Sequence, residues 1–163
     1  SKNTGLTLFT STIRRGSPDY LDPKLNCHSK LHEVQALVQA IEAGADEALM
    51  LDIHGFVSTC NSTNFFMVKN GTVITSTDQY CMNGITRQKI IEICKENHIP
   101  VIEKNFSLYD VYDADECFVT GTFAGLSLVI SIDGRMIDNK SNTKISESLS
   151  SLYKKKISSY VKN

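Results

Sequence analysis

This sequence lacks the features that mark nucleic-acid-binding, membrane-spanning and repeat proteins. Its 17 Lys and Arg residues are scattered and balanced by 18 Asp and Glu residues, and the formal net charge of −1 indicates no basic surface for a nucleic acid. No apolar run approaches the roughly 20 residues of a membrane-spanning helix, and no internal repeat is present. The 163 residues, 41% apolar and 21% charged, are typical of one globular domain. We therefore expect a soluble protein with a small-molecule partner, not a nucleic acid or a membrane.

Cysteine is present in an odd number and without the spacing of a metal or disulfide site. The cysteines are Cys27, Cys60, Cys81, Cys94 and Cys117. No CxxC pair occurs, which excludes a zinc ribbon, and reduced thiols in a cytoplasmic protein fit this pattern better than a disulfide framework. His28 and His32 are one helical turn apart, but the string HSKLH has Ser where a zincin has Glu, and no third ligand is evident. We expect no metal site.

The hydrophobic pattern predicts more strands than helices. Strand patterns occupy residues 6–14, 47–52, 55–59, 64–76, 99–105, 116–122 and 126–137. Asn-Gly at 70 and Asp-Gly at 133 predict hairpin turns, and SLYD at 107 matches a capping box before a short helix. Further helices are expected after residue 84 and towards the C-terminus. The sequence thus predicts an α+β domain with a mixed, mainly antiparallel sheet and flanking helices.

The first predicted helix extends from about residue 28 to residue 42 and is amphipathic. Its apolar stripe consists of Leu31, Val34, Leu37, Val38 and Ile41. A glycine in the following AGAD segment ends the helix. We expect the apolar stripe to pack on the sheet. The C-terminal helix has a similar stripe made of Ile145, Leu149, Leu152, Ile157 and Tyr160.

Two short segments offer hydrogen-bond donors to an anion. In GITR, residues 84–87, a glycine precedes a predicted helix, so unpaired backbone N–H groups and the positive end of the helix dipole are exposed beside the Thr86 hydroxyl. TGT at 120–122 places small residues and hydroxyls at a strand end. Each segment alone is weak evidence, because every helix has such an end and TGT is more often a turn.

Lys24 is a candidate nucleophile. It lies between Pro23 and the first predicted helix, and a lysine forms a Schiff base readily when burial or a neighbouring charge lowers its pKa. Most lysines are instead solvated surface groups. Lys30 is a second candidate nearby, but it would lie within the helix pattern, so Lys24 is preferred.

These segments gain weight from their order along the chain. Lys24 and an amphipathic helix are followed by AGADEALMLDIHGFVSTCNSTNFFMVKNG, GITR, IPVIEKNFSLYDVYDADECFVTGT and SIDGRMI. The series resembles the class IV aminotransferases, pyridoxal-phosphate enzymes of fold type IV that include branched-chain and D-amino acid aminotransferases and aminodeoxychorismate lyase. The resemblance extends from about residue 5 to residue 138.

The resemblance implies a role for each matching residue. Lys24 would form a Schiff base with pyridoxal phosphate and move a proton between the substrate α-carbon and the cofactor. Ile85 and Thr86, following Gly84 in the GIT motif, would hold the phosphate. Thr122 and Phe123 would offer donors to the phosphate and to the substrate carboxylate. A homodimer that binds an amino acid and a 2-oxo acid is likewise implied.

The chain departs from the family pattern in three respects. First, about two extra residues separate Lys24 from the helix. Second, Thr59 stands where the family usually has a Glu beside the pyridine nitrogen, and a neutral hydroxyl cannot keep that nitrogen protonated as a carboxylate does. Third, residues 1–20 match the last strand and linker of an otherwise missing N-terminal domain, which in the family carries the phosphate-binding Arg. SNTKIS also replaces the usual GPVT.

We therefore expect residues 21–163 to be the cofactor-binding C-terminal domain of a transaminase-like protein, and the chain to be a fragment that is inactive alone. The alternatives are a lyase of the same fold and a non-catalytic descendant that serves as an interaction module. Thr59 favours these alternatives, whereas intact GITR and TGT favour retention of the cofactor.

Overall fold

The path of the chain is described by a computed structural model that covers residues 5–17, 19, 30–122, 124–137 and 144–162. The strands in this part of the chain are β1 (Leu6–Thr10), β2 (Glu47–Leu51), β3 (Val57–Cys60), β4 (Asn64–Lys69), β5 (Thr72–Thr75), β6 (Val101–Glu103), β7 (Glu116–Gly121), β8 (Gly125–Ile132) and β9 (Arg135–Met136). The helices are α1 (Leu31–Glu42), α2 (Ile85–Glu96), α3 (Leu108–Tyr112) and α4 (Ile145–Val161). The predicted excess of strands is confirmed.

These strands form one mixed sheet in the order β3-β2-β1-β8-β7-β4-β5-β6, with β9 added to β8. Antiparallel pairing joins β2 to β3, β4 to β5, β4 to β7, β7 to β8 and β8 to β9. Parallel pairing joins β1 to both β2 and β8, and β5 to β6. The predicted α+β class and the mainly antiparallel sheet are thus confirmed.

Strand β1 lies inside this sheet, between β2 and β8. Phe9 pairs with Ala48 of β2, and Leu8 pairs with Ile132 of β8. Residues 6–10 therefore share a sheet with the rest of the described chain. The predicted division into 1–20 and 21–163 falls at a residue outside the described ranges, and it stays a prediction.

Both predicted hairpins are present. Asn70 and Gly71 have φ values of 48° and 76°, and they join β4 to β5 with Lys69 paired to Thr72. Asp133 and Gly134 have φ values of 53° and 75° and join β8 to β9. Positive φ at both central residues is the requirement of a type I′ turn, whose twist matches that of the flanking strands.

Alternation along β4 divides the core between the two faces of the sheet. Phe65 packs in one cluster with Val111 of α3, and Phe66 packs in the other with Ile90 of α2. Phe66 also stacks on Phe118 of β7 at 4.9 Å between ring centroids. Successive side chains of a strand point to opposite faces, so α2 and α3 lie on opposite sides of the sheet.

Helix α3 begins as expected, and helix α4 packs unevenly along its length. The predicted capping box is present, with Ser107 and Asp110 each bonding to the other's backbone. In α4, Leu149 is buried, but Ile157 is 38% exposed, so only the first half of the predicted stripe packs on the sheet. None of the helices in the described ranges is both long and apolar enough to span a bilayer.

Helix α1 meets the sheet with a face that differs from the predicted one. Of the five predicted inward residues, Leu37 is partly buried, whereas Leu31, Val34, Val38 and Ile41 are 48 to 64% exposed. The buried face instead has Ala36 and Ala40, which pack in one cluster with Met50 of β2. The prediction was wrong because periodicity identifies an apolar stripe without indicating what covers it, whereas small alanines allow a helix and a sheet to approach closely.

Substitutions on the two faces of α1 are therefore expected to differ in their effect on the free energy of unfolding of this chain. Ala40→Leu adds bulk at a side chain with 0% exposure, and we expect a loss of about 1–3 kcal/mol. Ile41→Lys, at an exposed position, is expected to change the free energy by at most about 0.5 kcal/mol. Urea unfolding measures both values. A larger loss for Ile41→Lys than for Ala40→Leu would contradict the orientation of α1.

Candidate functional site

The segment GITR forms the start of α2. Gly84 precedes the helix with extended backbone (φ −62°, ψ 152°), and no side chain of the described residues caps the helix N-terminus. The N–H groups of the first turn, including those of Ile85 and Thr86, therefore have no acceptor within the helix and carry the positive end of its dipole. Thr86 is buried at this end. Such an arrangement is suited to binding an anion.

Gly84 is held close to the first residue of β4. The Asn64 side-chain amide donates to the Met82 carbonyl oxygen at 2.9 Å. A Cβ atom on Gly84 would lie 2.7 Å from Asn64 Oδ1, which is closer than real Cβ contacts. The start of α2 can approach β4 in this way only because residue 84 has no side chain.

The end of β7 lies beside the same helix start. Thr120 pairs with Asn64 in the β4–β7 ladder, so the two side chains share one face of the sheet. Thr120 is 2% exposed, and its hydroxyl has no hydrogen-bond partner among the described residues. A buried polar group without a partner is costly, and such a group in a native protein calls for a water, an ion or a ligand.

Arg87, the last residue of GITR, braces the helix start from within. Its guanidinium is 2% exposed and donates to the Ser76 carbonyl oxygen at 2.9 Å, to Glu103 Oε1 at 2.6 Å and to Asn83 Oδ1 at 2.7 Å. Because these bonds join α2 to β6 and to the segment after β5, Arg87 fixes where the helix begins. The arginine is therefore directed into the protein.

A polar recess continues from Asn64 towards α1. It is lined by Arg15, Lys30, Glu33, Thr59, Cys60, Asn61, Ser62, Thr63, Asn64 and Met82. Its volume is about 90 Å³, which is smaller than the few hundred Å³ of a typical ligand site. A ligand of coenzyme size would therefore also have to occupy the solvent-exposed space beside the start of α2.

Thr59 contributes to the wall of this recess from β3. It is 5% exposed, and its hydroxyl donates to the Thr63 carbonyl oxygen at 2.8 Å. Thr59 pairs with Met50 of β2, so both side chains lie on the face covered by α1. The Thr59 hydroxyl proton is thus already used in a hydrogen bond to the 61–63 turn.

The α1 end of the recess contains an ion pair. Arg15 Nη1 lies 2.5 Å from Glu33 Oε1, with side-chain exposures of 8% and 23%. Arg15 Nε also donates to the Tyr80 carbonyl oxygen at 3.0 Å. These contacts place a guanidinium and a carboxylate, both largely buried, in the same recess as Thr59.

The Cys60 thiol in the lining is not a reactive group. Cys60 is buried, and burial raises the pKa of its thiol well above the usual range, with the nearby Glu47 carboxylate adding to the effect. Because the thiolate is the nucleophilic form of cysteine, Cys60 is unsuited to attack a substrate at neutral pH.

The structure brings some of the predicted site residues together. Gly84, Ile85 and Thr86 form the start of α2, and Thr59 lies in the adjoining recess. Thr122 follows β7 and is exposed. Lys24 and Phe123 lie outside the described residues, so their predicted roles stay predictions.

One premise of the lysine assignment is wrong. Lys30 does not lie within the helix pattern, because α1 begins at Leu31 and Lys30 is the residue before it. Lys30 also lines the recess, at the same end as Glu33. It therefore remains a direct alternative to Lys24.

Sequence reasoning did not identify Asn64, Thr120, Arg15 or Glu33 as parts of the site. Asn64 begins one predicted strand and Thr120 lies at the end of another, and this was the sequence signal that could have identified them. The two residues become neighbours only through the β4–β7 register. Glu33 was hidden by the choice of the wrong inward face of α1. No local pattern around Arg15 indicates that it is buried.

The chain is similar in sequence to known aminotransferases. Residues 1–132 match the family model described as amino-transferase class IV. A putative branched-chain-amino-acid aminotransferase of Methanocaldococcus jannaschii is 41% identical over 92% of this chain, which covers 52% of that protein. The branched-chain-amino-acid aminotransferase-like protein 2 of Arabidopsis thaliana is 40% identical over 93% of this chain and 27% of its own length. The chain thus spans about a quarter to a half of these relatives.

Solved structures of the same kind share the fold. A branched-chain aminotransferase from the thermophilic archaeon Thermoproteus uzoniensis, solved with norvaline, aligns with a TM-score of 0.87 at 30% identity, over 94% of this chain and 51% of the other. An aminotransferase from Brucella abortus bound to the cofactor pyridoxal phosphate aligns with a TM-score of 0.87 at 27% identity, over 95% and 55% of the two chains.

Removal of the Arg87 guanidinium is expected to weaken the helix start. Arg87→Met leaves the Ser76 carbonyl and the Asn83 side chain without their donor, and we expect a loss of about 1–3 kcal/mol in the free energy of unfolding. Lys95→Met, an exposed position on the same helix, is the matched control, with a change of at most about 0.5 kcal/mol. Urea unfolding of the two variants tests this. Equal, small effects would mean that Arg87 does not brace α2.

Proposed function

This chain belongs to the class IV aminotransferase family, and we propose that it is the pyridoxal-phosphate-binding part of an enzyme that transfers an amino group from an amino acid to a 2-oxo acid. The observation that carries the proposal is the uncapped start of α2, with the unpartnered hydroxyl of Thr120 beside it among the described residues. The names of the relatives support a branched-chain amino acid as the substrate.

The described residues fit the phosphate of this cofactor. A phosphate needs several donors and a positive potential, and the start of α2 provides both through the amides of Ile85 and Thr86. The absence of a Cβ at Gly84 keeps the approach open, because a larger residue there would meet Asn64. Thr120 provides a buried hydroxyl that still needs a partner.

Each residue has a distinct task in the proposed enzyme. Pyridoxal phosphate, when bound, supplies an electron-withdrawing ring that stabilises negative charge at the α-carbon of an amino acid. The amides of Ile85 and Thr86 fix the position of the cofactor through its phosphate. Lys24 would hold the cofactor and would carry the proton of the substrate α-carbon. Thr122 and Phe123, which follow Gly121 in the sequence, would offer donors to the phosphate and to the substrate carboxylate.

Borohydride trapping tests the cofactor site and the lysine. The full-length protein that contains this chain is mixed with pyridoxal phosphate, reduced with borohydride and digested, and the modified lysine is located by mass spectrometry. We expect the label on Lys24, with competition by inorganic phosphate. We also expect aminotransferase activity to fall by at least about 10³-fold in Lys24→Ala, because the lysine is both the attachment point and the proton carrier.

Lys30→Ala is the matched control, since Lys30 precedes α1 and lines the same recess. Activity that survives in Lys24→Ala and disappears in Lys30→Ala would reassign the lysine without affecting the proposed function. Label spread over many lysines in a folded protein would contradict the cofactor site itself.

For the assembly state we propose a homodimer in the cytoplasm. The exposed stripe of Leu31, Val34, Val38 and Ile41 on α1 supports an association, because an apolar helix face left in water is unfavourable. Val38→Glu in the full-length protein is expected to convert a dimeric mass, measured by light scattering, to a monomeric one. A dimer of unchanged mass but lower stability would instead mean that another part of the same protein covers the stripe.

A further inference from the structure

The recess beside Thr59 contains one acidic side chain among its described lining residues, and this is Glu33. Thr59 itself is neutral, and its hydroxyl donates to the Thr63 carbonyl oxygen. A basic ring nitrogen in this recess would therefore find a negative charge at Glu33 and not at residue 59. A carboxylate within about 4–6 Å favours the protonated form of such a nitrogen.

The packing of α1 places Glu33 on the Thr59 side of the sheet. Thr59 pairs with Met50, and Met50 packs against Ala36 and Ala40 of α1. Glu33 precedes Ala36 by three residues, which places it on the same face of the helix, one turn earlier. The inward face of α1 thus contains Glu33, Ala36 and Ala40, with one carboxylate at the end nearest the recess.

Arg15 determines the position of that carboxylate. The guanidinium and Glu33 are 2.5 Å apart, and Arg15 is itself tied to the Tyr80 carbonyl oxygen. An ion pair of this kind restricts the carboxylate side chain to one orientation. The pair is therefore suited to present a fixed negative charge.

Glu47 is another carboxylate beside the recess, because it bonds to Thr63 of the lining, but its side chain leaves β2 on the other face. It alternates along β2 with Ala48 and Met50, so its side chain points away from α1. Its Oε2 accepts a bond from Thr63 Oγ1 at 2.8 Å, and burial raises the pKa of Glu47. Glu47 is therefore occupied by the 62–63 turn and is not itself one of the lining residues.

We propose that Glu33, held in place by Arg15, is the carboxylate that faces the pyridine nitrogen of bound pyridoxal phosphate, so that the charge missing at Thr59 is supplied from α1. The inference rests on the proposed function. Glu33 acts on the cofactor directly, and Arg15 is a positioning residue.

The test measures the protonation of the cofactor nitrogen and does not depend on activity. Pyridoxal phosphate labelled with ¹⁵N in the ring is bound to the full-length protein, and its chemical shift is followed against pH. Glu33→Gln is expected to lower the pKa of the ring nitrogen by about 1–3 pH units, because the opposing charge is lost. Adding Thr59→Glu to this variant is expected to restore most of the shift.

Two further variants separate this effect from damage to the fold. Glu33→Gln removes the Arg15–Glu33 ion pair, so the pair Arg15→Gln with Glu33→Gln is measured as well. It should lower the pKa by less than Glu33→Gln alone, because a positive charge is removed together with the negative one. Glu42→Gln, at the exposed end of α1, is the matched control and should leave the nitrogen unchanged.

Cofactor bound to Glu33→Gln with an unaltered nitrogen pKa would overturn the inference and leave the proposed function standing. A wild-type protein that takes up no cofactor, and shows no trapped lysine, would overturn both.

Discussion

The candidate site depends on the close contact between α1 and β2. Ala36 and Ala40 have side chains small enough for the helix to lie directly over Met50, and this closeness brings Glu33 to the wall of the recess. A leucine or valine at either position would hold the helix farther from the sheet. The packing of Ala36 and Ala40 on Met50 thus determines whether the Glu33 carboxylate lines the recess.

A second constraint fixes the opposite end of the site. Thr120 and Asn64 are neighbours because β4 and β7 pair in one register, and a slip of one residue would turn both side chains to the other face. The Asn64 side chain contacts the segment before α2, and Arg87 joins that helix to β6. Asn64 and Arg87 therefore position the start of α2 without accepting hydrogen bonds from its first N–H groups. These donors remain available for an anion.

The turns and helix starts of this fold could be predicted from the sequence, because each depends on a few consecutive residues. Asn-Gly and Asp-Gly require positive φ, and the capping box at Ser107 depends on residues three apart. GITR was recognisable for the same reason, since a glycine before a helix exposes its first amides whatever lies around it. In each case the relevant atoms lie within a few residues of each other along the chain.

The orientation of α1 and the partners in the recess could not be predicted in this way. An apolar stripe of Leu31, Val34, Val38 and Ile41 has the periodicity of a buried face, yet two alanines form the contact with the sheet. An apolar stripe predicts that a helix face is removed from water. It does not indicate which surface covers that face. The chain spans about half or less of its relatives, so a stripe that looks internal can be left for a contact beyond these residues.

The same error concealed the link between Thr59 and Glu33. If the stripe had pointed inward, Glu33 would have pointed to solvent, and the described lining of the recess would have had no acidic side chain. With the helix in its observed orientation, the recess keeps one negative side chain among its described lining, and that side chain is balanced by Arg15. A charge at this depth is costly to maintain without a partner, and the pair satisfies that need before any ligand arrives. The recess therefore retains the electrostatic character of a site although the residue expected to provide it is neutral.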